Sequence, residues 1–184
     1  MPRPPRIQAS DVIYHVMSRG VRQQPIYVDD QDRKAFLSLL AEAVTRYSWR
    51  LSTYCLMTTH YHLVLQTPNA NLSAGMQWLK GRHAQWFNWR HGHEGHVFHR
   101  RFHSVLVDSE WQFLTLIRYV LLNPVRAGIC RHAADWKWSS YRAVATDDPA
   151  PLELALDSVL GYFGHDRAIA RAAFVEFIRS GEPS

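Results

Sequence analysis

Two β-rich runs, RLSTYCLM at 50–57 and YHLVLQTP at 61–68, are parted only by Thr58, Thr59 and His60. Runs this close can form an antiparallel hairpin, with His60 at the start of the second arm. The hairpin constrains everything around it, because its side chains must alternate between two faces of a sheet. His60 and His62, one residue apart in that arm, would then stand side by side on one face.

The flanking segments supply the rest of a sheet. VIYHVMSRG at 12–20 alternates and ends in Arg-Gly, as a first strand does. DDQDRKAFLSLLAEAVTRYS at 29–48 has acids in its first turn and apolar residues at Phe36, Leu39, Leu40 and Ala43, which predicts an amphipathic helix. NLSAGMQWLKGRHAQWFNWRHG at 71–92 reads as a second helix, capped by Asn71 or Ser73. FHSVLVD at 102–108 reads as a fourth strand. The order βαββαβ predicts an α+β, ferredoxin-like antiparallel sheet with helices on one face. The other face could stay open for a ligand.

A further helix is expected over 109–123, with Ser109 as N-cap and Phe113, Leu116, Ile117, Val120 and Leu121 at helical spacing. Pro124 should stop or kink it near Asn123, because the residue before a proline avoids the α region. DWKWSSYRA at 135–143 should fold back on the body, and DDPAP at 147–151 reads as a linker. The expected division is a catalytic domain at 1–146 and a short acidic helical tail at 147–184. Two short helices are expected in the tail, one with Leu152, Leu156, Val159 and Leu160, the other with Ile169, Ala173, Phe174 and Phe177.

Composition narrows the function. The 184 residues, 47% hydrophobic and 20% charged, suit one ordinary domain with a packed core. No apolar run approaches the roughly 20 residues of a membrane helix, and the start MPRPPRIQAS lacks the apolar stretch of a secretory signal. Cys55 and Cys130 make no metal or disulfide pattern, so the expected compartment is the cytosol. Net charge is +5, but residues 1–146 carry +9 and residues 147–184 carry −4. A basic body points to a polyanion, since Lys and Arg that neutralise phosphates release counterions. The mixture of Arg with aromatic residues in WLKGRHAQWFNWRHGHEGHVFHRRFHS suits single-stranded nucleic acid, where bases stack on rings. Candidate phosphate contacts are Arg19, Lys80, Arg82, Arg100, Arg101 and Arg126, and the Pro-rich basic arm MPRPPR is expected to order on binding. His91, His93, His96, His99 and His103 match no zinc spacing and read as a polar loop near nucleic acid, with His103 alternating on the next strand.

Tyr119 and Asn123 are spaced i, i+4 and share a helix face. An H-x-H pair can give a divalent cation two nitrogens, and an asparagine carbonyl can give a third ligand through oxygen. Open positions on such a cation could take a phosphate oxygen. A phenol ordinarily ionises near pH 10, so it attacks phosphorus at neutral pH only with help from its surroundings.

CLMTTHYHLVLQTP, LKGRHAQWFNWRHGHEGHVFHRRFHSVLVD, RYVLLNPVRAG and WKWSSYRA together resemble the HUH single-tyrosine transposases, most closely the REP-associated tyrosine transposase branch. The resemblance runs from IYHVMSRG to SSYRA. It implies that His60-Tyr61-His62 is the HUH metal motif, Tyr119 the nucleophile and Asn123 the third metal ligand. It further implies Mg²⁺ or Mn²⁺ as cofactor, hairpin-bearing single-stranded DNA as partner, and a 5′-phosphotyrosine link with a free 3′-hydroxyl. The protein would work as a monomer or a homodimer, since relatives do either. Thr58 and Thr59 replace the usual Pro-Asn, and Leu121 stands where a histidine is frequent. Two other readings remain: a hairpin-binding protein that does not cut, and a metal nuclease that uses water while Tyr119 is structural.

Overall fold

The structure is a computed structural model that describes residues 9–183; the basic arm at 1–6 lies outside them. Four strands form one antiparallel sheet in the order β2-β3-β1-β4: β1 is Val12–Arg19, β2 Arg50–Leu56, β3 His60–Thr67 and β4 His103–Val107. The helices are α1 (Asp30–Tyr47), α2 (Leu72–His91), α3 (Glu110–Arg126), α4 (Tyr141–Ala145), α5 (Leu156–Leu160) and α6 (Arg167–Arg179). The βαββαβ order and the ferredoxin-like α+β class are thus as the sequence predicts. Among the described residues no helix is long and apolar enough to cross a membrane.

Alternation divides the sheet into two faces. Tyr14, Val16, Tyr61, Leu63 and Leu65 point into a core shared with Phe36, Leu40, Met76 and Leu79 of α1 and α2. Val64 and Cys55 point the other way, into a second cluster with Phe113, Ile117, Val120 and Leu121 of α3 and Phe174 and Ile178 of α6. The face opposite α1 and α2 is therefore covered over part of its area by α3 and the tail helices. At roughly 2 kcal/mol for each fully buried large apolar side chain, these two clusters dominate the fold.

Several local expectations are corrected. Asn71 holds the N-cap position of α2 without capping it; its Oδ1 accepts from Trp49 Nε1 at 2.9 Å and its Nδ2 donates to Tyr47 O at 2.9 Å. A buried indole N–H is costly to leave unpaired, so the side chain serves Trp49 instead. Pro124 does not end its helix at Asn123: α3 runs on to Arg126. The proline removes one N–H from the last turn, and the turn still closes through Ala127 N–H to Asn123 O at 2.9 Å. Leu152 lies outside α5 and joins the α1/α2 core, while Ile169 is exposed on α6. The Trp-rich segment does fold back: Leu56 N–H donates to Trp138 O and Ser140 N–H to Tyr54 O, closing the outer edge of β2.

His91 is not part of a free loop. It ends α2 and faces the buried Asp32 carboxylate at 3.0 Å, while Arg90 bonds both Asp29 and Asp32. Burial alone would raise the Asp32 carboxyl, but hydrogen bonds from Val28 N–H, His91 and Arg90 outweigh it and hold it below the ordinary range. These bonds lock the start of α1 to the end of α2.

His83, fully buried between the helices, donates Nε2–H to Ile26 O at 2.9 Å, and its Nδ1 is buried without a partner. Protonating Nδ1 would bury an unpaired charge, so burial lowers the ring from 6.5 to about 4. The unfolded chain therefore takes up the proton first as pH falls. Stability is intact above pH 6.5 and is lost progressively toward pH 4. Urea melts should show this acid loss, and His83→Gln should flatten it by an amount on the order of 3 kcal/mol, at about 1.4 kcal/mol per pKa unit.

Candidate active site

The histidines stand on the same face of the sheet as Val64 and Cys55, on the part that the second apolar cluster leaves uncovered. β1 and β3 pair so that Met17 lies opposite His62, Val64 opposite His15 and Arg19 opposite His60. His15, His60 and His62 consequently share one face, and β4 adds His103, paired with Met17. The rings of His60 and His62 stand 5.1 Å apart and nearly perpendicular, at 84°. His62 is buried, and its Nε2 has no hydrogen-bond partner. Its other nitrogen, Nδ1, lies 2.9 Å from His15 Nε2. His60 Nδ1 lies 3.1 Å from Thr59 Oγ1, which leaves Nε2 as the unengaged nitrogen of that ring.

From α3, Tyr119 reaches over this face. Its ring meets His62 edge-on at 5.7 Å and 89°, and His15 at 6.3 Å and 78°. It is 39% exposed, so the phenol is reachable from solvent. Arg126, two residues past Pro124, places its guanidinium 5.5 Å from the Tyr119 ring centroid. Asn123 is one turn from Tyr119 as its spacing requires, but its Nδ2 donates to Tyr119 O at 2.9 Å, and it makes no hydrogen bond to either histidine. The structure thus brings His60, His62 and Tyr119 together and leaves Asn123 engaged on its own helix.

The imidazoles are held neutral. Burial, with His15, His60 and Arg19 nearby, lowers His62 to about 3; burial and His103 lower His15 to about 4; burial and Arg19 lower His60. A neutral ring with an unsatisfied buried nitrogen is what a metal ligand needs. Among the described residues no set of three His, Cys, Asp or Glu side chains is disposed to hold a metal ion. Two imidazole nitrogens fit a divalent cation whose remaining positions go to an amide oxygen, water or substrate oxygens.

The cationic candidates fall in four places. Arg19 is beside His60, and its carbonyl accepts from His99 N–H at 3.0 Å. Lys80, Arg100 and Arg101 line a cleft of about 660 Å³ between α2 and the segment leading to β4, with Phe98 at its wall. Lys80 donates to Arg100 O at 2.7 Å and lies over the Phe98 ring. Arg82 is elsewhere, in a groove against α1 with Trp86 and the exposed Trp89. Arg126 attends Tyr119.

Sequence reasoning missed His15. The signal for His15 was the alternation of IYHVM against the H-x-H strand. Thr59, one of the departures from the usual Pro-Asn, contacts a candidate ligand. Leu121, the other departure, is fully buried in the second cluster.

Fold and site define an α+β sheet protein with a paired-histidine face under a helical tyrosine, on a basic body. A family model for IS200-like transposases matches residues 8–122, and the chain belongs to that family. Among solved structures it resembles a REP-associated tyrosine transposase bound to a REP hairpin, with a TM-score of 0.66 and 14% identity over 85% of this chain and 96% of that one. That likeness establishes a common fold. A transposase-like protein from Deinococcus radiodurans (TM-score 0.46, 18% identity, 65% of this chain and 95% of that one) overlaps too weakly to do so. So does tRNA(His) guanylyltransferase from Saccharomyces cerevisiae (TM-score 0.48, 8% identity, 98% of this chain and 85% of that one). No curated protein matches the chain.

Because burial holds His62 neutral down to about pH 3, its ring resonances should stay fixed in NMR titrations from about pH 8 to about pH 5, where an ordinary histidine near 6.5 shifts fully. Movement centred near pH 6.5 would contradict the buried, neutral ring.

Proposed function

We propose that this chain is a metal-dependent DNA strand transferase of the REP-associated branch, cutting and rejoining single-stranded DNA beside hairpins through Tyr119. One observation carries the reading: the Tyr119 ring stands edge-on to His62, whose buried Nε2 is unsatisfied, with His60 alongside. His60 and His62 would hold a divalent cation through nitrogen, and Asn123, whose Nδ2 donates to Tyr119 O, would add its amide oxygen. When bound there, Mg²⁺ or Mn²⁺ would supply Lewis-acid polarisation of the scissile phosphodiester. The Tyr119 oxygen attacks phosphorus and gives up its proton to solvent. The bond from phosphorus to the 3′ oxygen breaks, and that oxygen takes a proton to leave a free 3′-hydroxyl and a 5′-phosphotyrosine. Phosphodiester energy is conserved in the new ester, so the strand can be rejoined. Arg126 over the phenol ring supplies positive charge where the phosphate must lie. Tyr119 and the histidines meet within one chain, which supports a site completed in cis, in a monomer or in each copy of a homodimer. The proposed place of action is the cytoplasm.

The cleft of Lys80, Arg100 and Arg101, joined to the site through Arg19 and His99, suits the hairpin backbone. The second reading, binding without cleavage, draws on Asn123 being turned to its own helix.

Incubation with a hairpin-bearing oligonucleotide and Mn²⁺, followed by denaturing electrophoresis, separates the readings. A protein–DNA adduct is expected, absent in Tyr119→Phe, in His62→Ala and after chelation. Cutting without an adduct, retained in Tyr119→Phe, would instead mean a water-using nuclease; binding without cutting would favour the second reading. For the cleft, Arg101→Ala should weaken hairpin binding across sequences and reduce the salt slope of log K by about 1, measured by fluorescence anisotropy at several salt concentrations.

A further inference from the structure

Behind His62 stands a second imidazole on the neighbouring strand. His15 Nε2 lies 2.9 Å from His62 Nδ1, and the two rings stack with centroids 5.1 Å apart and planes 17° from parallel. A neutral imidazole has one N–H and one lone pair. For His62 Nε2, buried and unpartnered, to offer its lone pair to a cation, the ring proton must sit on Nδ1. Nδ1–H then has one neighbour to donate to, His15 Nε2, which must accept; the proton of His15 must therefore be on its own Nδ1.

We propose that His15 is a positioning residue for the metal site, the acceptor that fixes the tautomer and ring plane of His62. This rests on reading His60 and His62 as metal ligands. Backbone pairing builds the arrangement, because His15 lies opposite Val64 and so stands diagonal to His62 on the same face, within reach of a long side chain. His15 acts through His62 and offers no ligand to the cation; its only approach to Tyr119 is an edge-on ring contact with centroids 6.3 Å apart. Histidine ligands are commonly backed by a carboxylate, which raises their basicity. A neutral imidazole does so less, so this site is built to hold its cation loosely while keeping the ligand ring in place.

Mn²⁺ titration of the full chain, followed by electron paramagnetic resonance of the free ion, tests the role without relying on activity. His15→Phe keeps the ring volume and removes the acceptor; His15→Gln puts an amide oxygen near the position of Nε2; His62→Ala marks the site itself. Thermal melts establish that each variant folds, and His15→Gln keeps the test open should His15→Phe fail to. Mn²⁺ binding is expected to vanish in His62→Ala, to weaken roughly 10- to 100-fold in His15→Phe and to return close to wild type in His15→Gln. Long-range proton–nitrogen correlation spectra should show His62 protonated on Nδ1 in the wild type and in His15→Gln, and a tautomer mixture in His15→Phe. Wild-type Mn²⁺ binding by His15→Phe, with binding still lost in His62→Ala, would overturn the role of His15 and leave the metal reading standing. Equal weakness of His15→Gln and His15→Phe would also overturn it, since packing alone would then explain the loss. Absence of any His62-dependent Mn²⁺ binding would overturn both.

Discussion

The antiparallel register of β1 against β3 determines the position of every group on the candidate site's sheet face. With His62 opposite Met17 and His60 opposite Arg19, side-chain parity sends Tyr61, Leu63 and Leu65 into the α1/α2 core and the histidines to the other side. A slip of one residue would bury both imidazoles among Phe36 and Leu40 and turn Tyr61 out. Burial of Tyr14, Val16, Tyr61, Leu63 and Leu65 opposes that slip by several kcal/mol. The apolar half of each strand thus specifies where the polar half points, and the site inherits its precision from the core behind it.

The tyrosine arrives by a different route. α3 is held by Phe113, Ile117, Val120 and Leu121 on its inward face, and from outside by α6, where Phe177 lies under the Arg118 guanidinium. Arg171 of α6 is in turn paired with Asp147 of the DDPAP segment. The acidic tail therefore packs on the helix that presents Tyr119 and braces it from the side away from the histidines. α3 continues past Pro124 to Arg126 with Leu122 and Val125 buried on either side of the missing N–H.

Much of this was legible because it follows from short-range rules. Alternation in 12–19, the tight hairpin between β2 and β3, and the 3.6-residue spacing of α1 and α3 each depend on neighbours in sequence. What escaped depends on distant partners. Asn71 abandoned its cap for a Trp49 indole across 22 residues, and His91 left the loop for Asp32 across 59. In the candidate site, the i, i+4 spacing of Tyr119 and Asn123 fixed their common side but not the rotamer that ties the asparagine amide to Tyr119 O. His15 was hidden for the same reason: a single histidine in a strand says nothing until the register places it diagonal to another.

The charges around the proposed site have a consistent logic. His60 and His62 are neutral, and Arg19 and Arg126 flank them, so no acidic ligand cancels a bound cation in the set proposed. Such a pair holds a divalent ion weakly on its own. A phosphodiester entering the same face would bring the missing negative charge and oxygen ligands. By linkage, whatever factor the nucleic acid adds to cation affinity the cation must add to nucleic-acid affinity. On this reading the site is assembled fully only when both are present, which confines strand cleavage to DNA already seated on the basic surface.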